Sequence, residues 1–102
     1  MKLTRKKFYH TIGNGHALVI ASFGAVWSGN SSMLKRVVTD VTDDFKEVEF
    51  IWSDVEANED LASEWGIRSV PTTLFFRDGE VVDHFTGIIS RNKLKKRIIK
   101  VL

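Results

Sequence analysis

The stretch FGAVWSGNSSML, Phe23 to Leu34, is where the fold of the chain can be read. Upstream runs HALVIASF (16–23), nearly unbroken in apolar residues and of strand length, the pattern of a central strand covered on both faces. Downstream, SSMLKRVVTDVTDDF (31–45) places Leu34, Val37, Val38, Val41 and Phe45 at helical spacing. Between them the chain turns a corner through Gly24-Ala25-Val26-Trp27. Ser28 and Ser31 then stand where a helix cap and a first-turn hydroxyl belong.

Working outward, LTRKKFYHTIGNG (3–15) reads as a short helix. Thr4 can cap it, Phe8 and Ile12 share a face, and Gly13-Asn14-Gly15 end it with residues that tolerate positive φ. VEFIWSDV (48–55) reads as a second buried strand, and Asn58 as the cap of EDLASEW, which Gly66 stops. After Pro71, TTLFFR and VVDHFTG flank Asp78-Gly79, a strong hairpin-turn signal. Ser90 caps a last helix whose Leu94, Ile98 and Val101 form an apolar stripe. The order α, β, α, β, α, β, β, α implies a mixed sheet with helices on both faces. In such a sheet binding groups gather beyond the carboxyl ends of the parallel strands, which is where WSGNSS lies.

Composition bounds the function. A chain of 102 residues is expected to form one domain, residues 1–102. At that length it can bury roughly two thirds of its unfolded surface, and with no cysteine it has neither disulfides nor zinc-thiolate sites to help. Fifteen basic against thirteen acidic residues give a net charge of +2, too balanced to suggest nucleic acid. Much of the basic excess lies at the two ends, from Lys2 to Lys7 and from Lys93 to Lys100, and is read as solvated helix surface, with an anionic partner as the alternative. No long apolar stretch follows the basic start, so neither a signal peptide nor a membrane anchor is expected, and the expected compartment is the cytoplasm. His10, His16 and His84 share no metal-like spacing, so no metal and no cofactor is expected.

The chain resembles the thioredoxin family over almost its full length. The resemblance is carried by FGAVWSGNSSML, by EWGIRSVPTTLFFRDGEVVDHFTG (64–87) and by the closing amphipathic helix. It implies an α/β thioredoxin-like fold, with a central mixed sheet of about four strands because Met1-Lys2-Leu3 leave the family's first strand truncated. It also implies a cis bond before Pro71, in Val70-Pro71-Thr72, and matches Asp78-Gly79 and Gly87 to the family's hairpin and late glycine.

The departures bear on chemistry. The family motif Trp-Cys-Gly-Pro-Cys here reads Trp27-Ser28-Gly29-Asn30-Ser31. The family's chemistry needs one thiol, acidified at a helix N-terminus, to attack a disulfide and a second to resolve the mixed disulfide. By the resemblance, residue 28 is the attacking position and residue 31 the resolving one. Hydroxyls there stay protonated near neutral pH and form no disulfide, so the chain as written is expected to be redox-inactive. Ser22 stands where the family has a buried aspartate, Trp52 where its lysine partner stands, and Gly24 replaces the second aromatic of a Phe-Trp pair. A serine nucleophile would need a base in reach, and no motif links a histidine to Ser28.

Two readings account for the serines. One takes them as Cys-to-Ser substitutions in a thiol–disulfide oxidoreductase that reduces protein disulfides and is recharged by a thioredoxin-reductase-type donor. The other takes the chain as a natural redox-inactive binding or scaffold module. Under both, Trp27, Gly29, Asn30, Val70, Pro71, Thr72 and Gly87 are the candidate residues for docking protein substrates or extended peptide segments. Contact with neither nucleic acid nor membrane is expected. Such a groove is small and its affinity weak, with an interface below about 1,200 Å² in total. Trp52 and Trp65 are expected in or near the core.

Overall fold

The computed structural model describes residues 3–13 and 18–102. Its elements are α1 (Arg5–Ile12), β1 (Leu18–Gly24), α2 (Gly29–Thr42), β2 (Val48–Asp54), α3 (Glu59–Glu64), β3 (Thr72–Arg77), β4 (Glu80–Thr86) and α4 (Arg91–Val101). The strands form one sheet in the order β2-β1-β3-β4, with β1 parallel to β2 and antiparallel to β3. The architecture is the thioredoxin fold, with a four-stranded mixed sheet.

Every residue of β1 is buried, because two cores meet on it. Val19, Ala21 and Phe23 point to one side, where Phe8 and Ile12 of α1 and Leu61 of α3 pack. Leu18 and Ile20 point to the other, with Val41 of α2 and Leu94 and Ile98 of α4. This alternation is why the strand reads as continuous hydrophobic sequence. His16 and Ala17, included in the strand by pattern, lie outside the described residues, as do Asn14 and Gly15.

β2 is an edge strand rather than a buried one. Among the described residues nothing pairs with its outer side, and only Val48 and Ser53 are buried. Its hydrophobic composition reflects packing on both faces, whereas its place at the end of the strand order decides its edge character. At the opposite end of the sheet, Asp78 (φ 53°) and Gly79 (φ 81°) close the β3–β4 hairpin with two positive-φ residues, as a type I′ turn requires.

Caps largely follow the sequence. Thr4 and Ser90 accept hydrogen bonds from the Lys7 and Lys93 N–H groups, at 3.1 and 3.2 Å. Gly13 ends α1 with an ordinary negative φ of −99°. Asn58 holds the N-cap position of α3 but makes no side-chain cap; its amide donates instead to the Asp54 carbonyl at 3.3 Å. Gly66, at φ 65°, ends α3 in the left-handed region, and the Ile67 N–H reaches back to the Ala62 carbonyl at 2.9 Å.

Candidate functional site

The carboxyl end of β1 hands the chain to α2 through a short, tightly bonded corner. The Ser28 N–H donates to the Ala25 carbonyl at 3.1 Å, closing the turn that carries Val26 and Trp27. Ser28 is the N-cap of α2: its backbone is extended (φ −96°, ψ 118°), and its Oγ accepts from the Ser31 N–H at 3.1 Å. α2 therefore begins at Gly29, ahead of the start that periodicity alone suggests. Ser31, only 1% exposed, turns its hydroxyl back to accept from the Ala25 N–H at 3.1 Å. Both serine oxygens thus act as backbone acceptors, one holding the helix start and one tying strand exit to first turn.

No base addresses either hydroxyl among the described residues. His10 sits exposed on α1 and His84 exposed on β4, and neither hydrogen-bonds Ser28 or Ser31. Among the described residues the arrangement has no nucleophile–base pair for hydrolysis. His16 lies outside the described residues. Among those described, no group of His, Asp and Glu is arranged to hold a metal ion. Among the described residues no helix is long and apolar enough to cross a membrane.

Beneath the corner the side chains are neutral. Ser22, fully buried, pairs its Oγ with Thr73 Oγ1 at 3.0 Å across the β1–β3 ladder. Trp52, opposite Ser22 on β2, lays its ring against the bare Cα of Gly24. A Cβ at Gly24 would fall 2.3 Å from Trp52 Cζ2 and 3.1 Å from Ser31 Cβ. Glycine at 24 and tryptophan at 52 are therefore one packing solution: the aromatic volume above the strand end is delivered from β2 instead of β1. Lys35 of α2 covers the outer side of the same ring, its Nζ 5.4 Å from the centroid.

The proline loop stands beside this corner. The Val70–Pro71 bond is cis, and the Gly87 N–H donates to the Pro71 carbonyl at 2.8 Å, joining that loop to the end of β4. Thr72 is buried, and its hydroxyl is spent on the Ser69 carbonyl at 2.7 Å. Trp27, 69% exposed, and Val70 line an open cleft of about 400 Å³ with Val55, Ile67, Arg68 and Ser69. Among the described residues neither the N–H nor the C=O of Val70 has a hydrogen-bond partner.

Of the candidate docking residues, the structure brings Trp27 and Val70 into one cleft. Pro71, Thr72 and Gly87 lie outside its lining: Pro71 and Thr72 are buried, and Gly87 (φ 83°) is half-buried. Gly29 and Asn30 are exposed in the first turn of α2, outside the lining of the cleft. Val55, Ile67, Arg68 and Ser69 were not singled out by sequence. Three of them sit in GIRSVP beside the proline, where proximity was the available signal. Trp65 packs in the core against Phe8 and Phe76, and Trp52 is half-buried.

Comparison with known proteins agrees with this geometry. The family model described as Thioredoxin matches residues 1–100. The thioredoxin of Mycoplasmoides gallisepticum is 37% identical over 78 residues, covering 76% of this chain and 78% of that protein. The thioredoxin of Chlorobaculum thiosulfatiphilum is 34% identical over 96 residues, covering 93% and 89%. The crystal structure of Fasciola hepatica thioredoxin superposes with a TM-score of 0.90 at 28% identity, covering 100% of both chains. With the corner, the proline loop and the sheet order all in place, the chain belongs to the thioredoxin family.

Proposed function

We propose that this chain is a single-domain thioredoxin-family protein that carries out no thiol–disulfide exchange itself. Instead it binds extended segments of other proteins, non-covalently, in the cleft between Trp27 and the Val70–Pro71 loop. The proposed compartment is the cytoplasm. The observation that carries this reading is Val70: a backbone N–H and C=O without partners among the described residues, in a cleft whose lining includes an exposed tryptophan. An extended peptide can supply the missing ladder bonds while the indole covers one of its side chains.

The test is a titration of a labelled, cysteine-free extended peptide into the native chain and into Trp27→Ala. Binding is expected to weaken at least about fivefold in the variant. Methylating the peptide's backbone amides should weaken it again, because strand-like pairing needs those donors. Equal affinity of native and variant chains for both peptides overturns the cleft.

A second reading has one observation in its favour. The Ser31 N–H points at the side-chain atom of residue 28 from the first turn of α2, the arrangement that stabilises a thiolate. On this reading the serines are Cys-to-Ser substitutions in a disulfide oxidoreductase. Residue 28 would attack protein disulfides, residue 31 would resolve, and a thioredoxin-reductase-type donor would recharge the pair.

A further inference from the structure

A second groove shares no lining residue with the Trp27 cleft. It consists of two depressions, about 400 and 310 Å³, that both include Ile88 and Ile89 of the β4–α4 connection. Met33 of α2 and Ile88 are 56% and 50% exposed, unusually open for residues of their size, while Val37 and Ile89 rest on the core below. The rim is basic. Arg91 is engaged by Asp40, and Arg97 lies 3.9 Å from Asp83. Arg36, Lys93 and Lys96 have no ion pair among the described residues, and no carboxylate lines either depression.

We propose that this groove docks an acidic segment of a partner protein. Its apolar side chains would seat on Met33, Ile88 and Ile89, and its carboxylates would meet Arg36, Lys93 and Lys96. The charge complementarity selects the occupant. Like charges gathered around an apolar floor repel one another until a partner neutralises them, and the floor gains only if that partner also brings apolar groups. A nucleic acid would need a longer basic track than three unpaired cations. The proposal does not depend on the Trp27 cleft binding anything.

The test uses labelled peptides built from repeated Asp-Leu-Ser, Asn-Leu-Ser and Lys-Leu-Ser units. They are titrated into the native chain, the double variant Arg36→Glu with Lys96→Glu, Ile88→Ser and Trp27→Ala, each variant checked for a native circular-dichroism spectrum. The Asp peptide is expected to bind tightest. At low salt it should lose about tenfold in the charge-reversed variant, and that loss should shrink as salt is raised. Ile88→Ser should weaken it severalfold, and Trp27→Ala should leave it within about twofold. Failure of the Asp peptide to bind, equal affinity for all three peptides, or indifference to charge reversal overturns the groove. Loss in Trp27→Ala without loss in the charge-reversed variant overturns the groove while supporting the cleft. Tighter binding to anionic phospholipid vesicles or to a single-stranded oligonucleotide, abolished by the same reversal, also overturns it.

Discussion

An oxygen in place of a sulfur changes what residue 28 does for its own helix. Ser28 Oγ accepts the Ser31 N–H, satisfying one of the donors that every helix start leaves open. Ser28→Ala should therefore cost about 1 kcal/mol of stability, measured as a shift in urea midpoint with an unchanged slope. Exchanging both serines for cysteine introduces two reactive groups, one at the cap and one in the first turn. The Ser28→Cys, Ser31→Cys double variant is expected to form an internal disulfide on mild oxidation, seen as loss of two titratable thiols. It should reduce protein disulfides sluggishly, since Ser22 and Thr73 beneath it offer no carboxylate to take a proton. Two thiols that stay free under oxidant would contradict the geometry assigned to the corner. The roles of these two residues were legible in sequence as cap and first-turn hydroxyl. The Ser31 bond back to the Ala25 N–H was not, because it depends on how tightly the corner folds.

Between elements, the pairing of Gly24 with Trp52 decides how β1, β2 and α2 fit together. Both residues stand out in sequence as departures from the family, but nothing in the string shows that each compensates the other. They sit two residues out of register on neighbouring strands, and the pleat puts residues at that spacing on the same face. Gly24→Ala forces a methyl against the Trp52 ring and should cost about 1–3 kcal/mol. In a Trp52→Ala background the same change should be neutral within about 0.5 kcal/mol, giving a coupling that urea unfolding of the four proteins measures directly. Additive costs would mean the ring swings aside freely. The edge position of β2 was hidden for a related reason. Its apolar residues report the faces of the sheet, whereas being an edge depends on whether a further strand pairs beside it. The hairpin was legible because Asp78-Gly79 is a local signal, complete in two residues.

At the scale of the molecule, two cores lie on opposite sides of one four-stranded sheet and share the buried strand β1. Phe8, Ile12, Leu61 and Phe76 fill one side, and Val41, Phe75, Leu94 and Ile98 the other. Because β1 and β3 present alternate residues to both, neither core can open without exposing the sheet face that holds the other. Unfolding should therefore be one cooperative transition. Trp65 reports on the first side, packed against Phe8 and Phe76, and Trp52 reports on the other, against Gly24 beneath α2. Ile12→Val and Ile98→Val remove one methylene from opposite cores and should each cost about 0.5–1.5 kcal/mol. Each should lower the midpoint equally whether followed by far-ultraviolet circular dichroism or by tryptophan fluorescence. In backgrounds that carry Trp27→Phe together with either Trp52→Phe or Trp65→Phe, each with one tryptophan left, the agreement should persist. If Ile98→Val shifted the Trp52 signal while leaving the Trp65 signal in place, the two sides would be separate folding units. The corner at Ser28 and the loop at Pro71 would then be held by independent layers, and the cleft between them would open under conditions that leave half the protein intact.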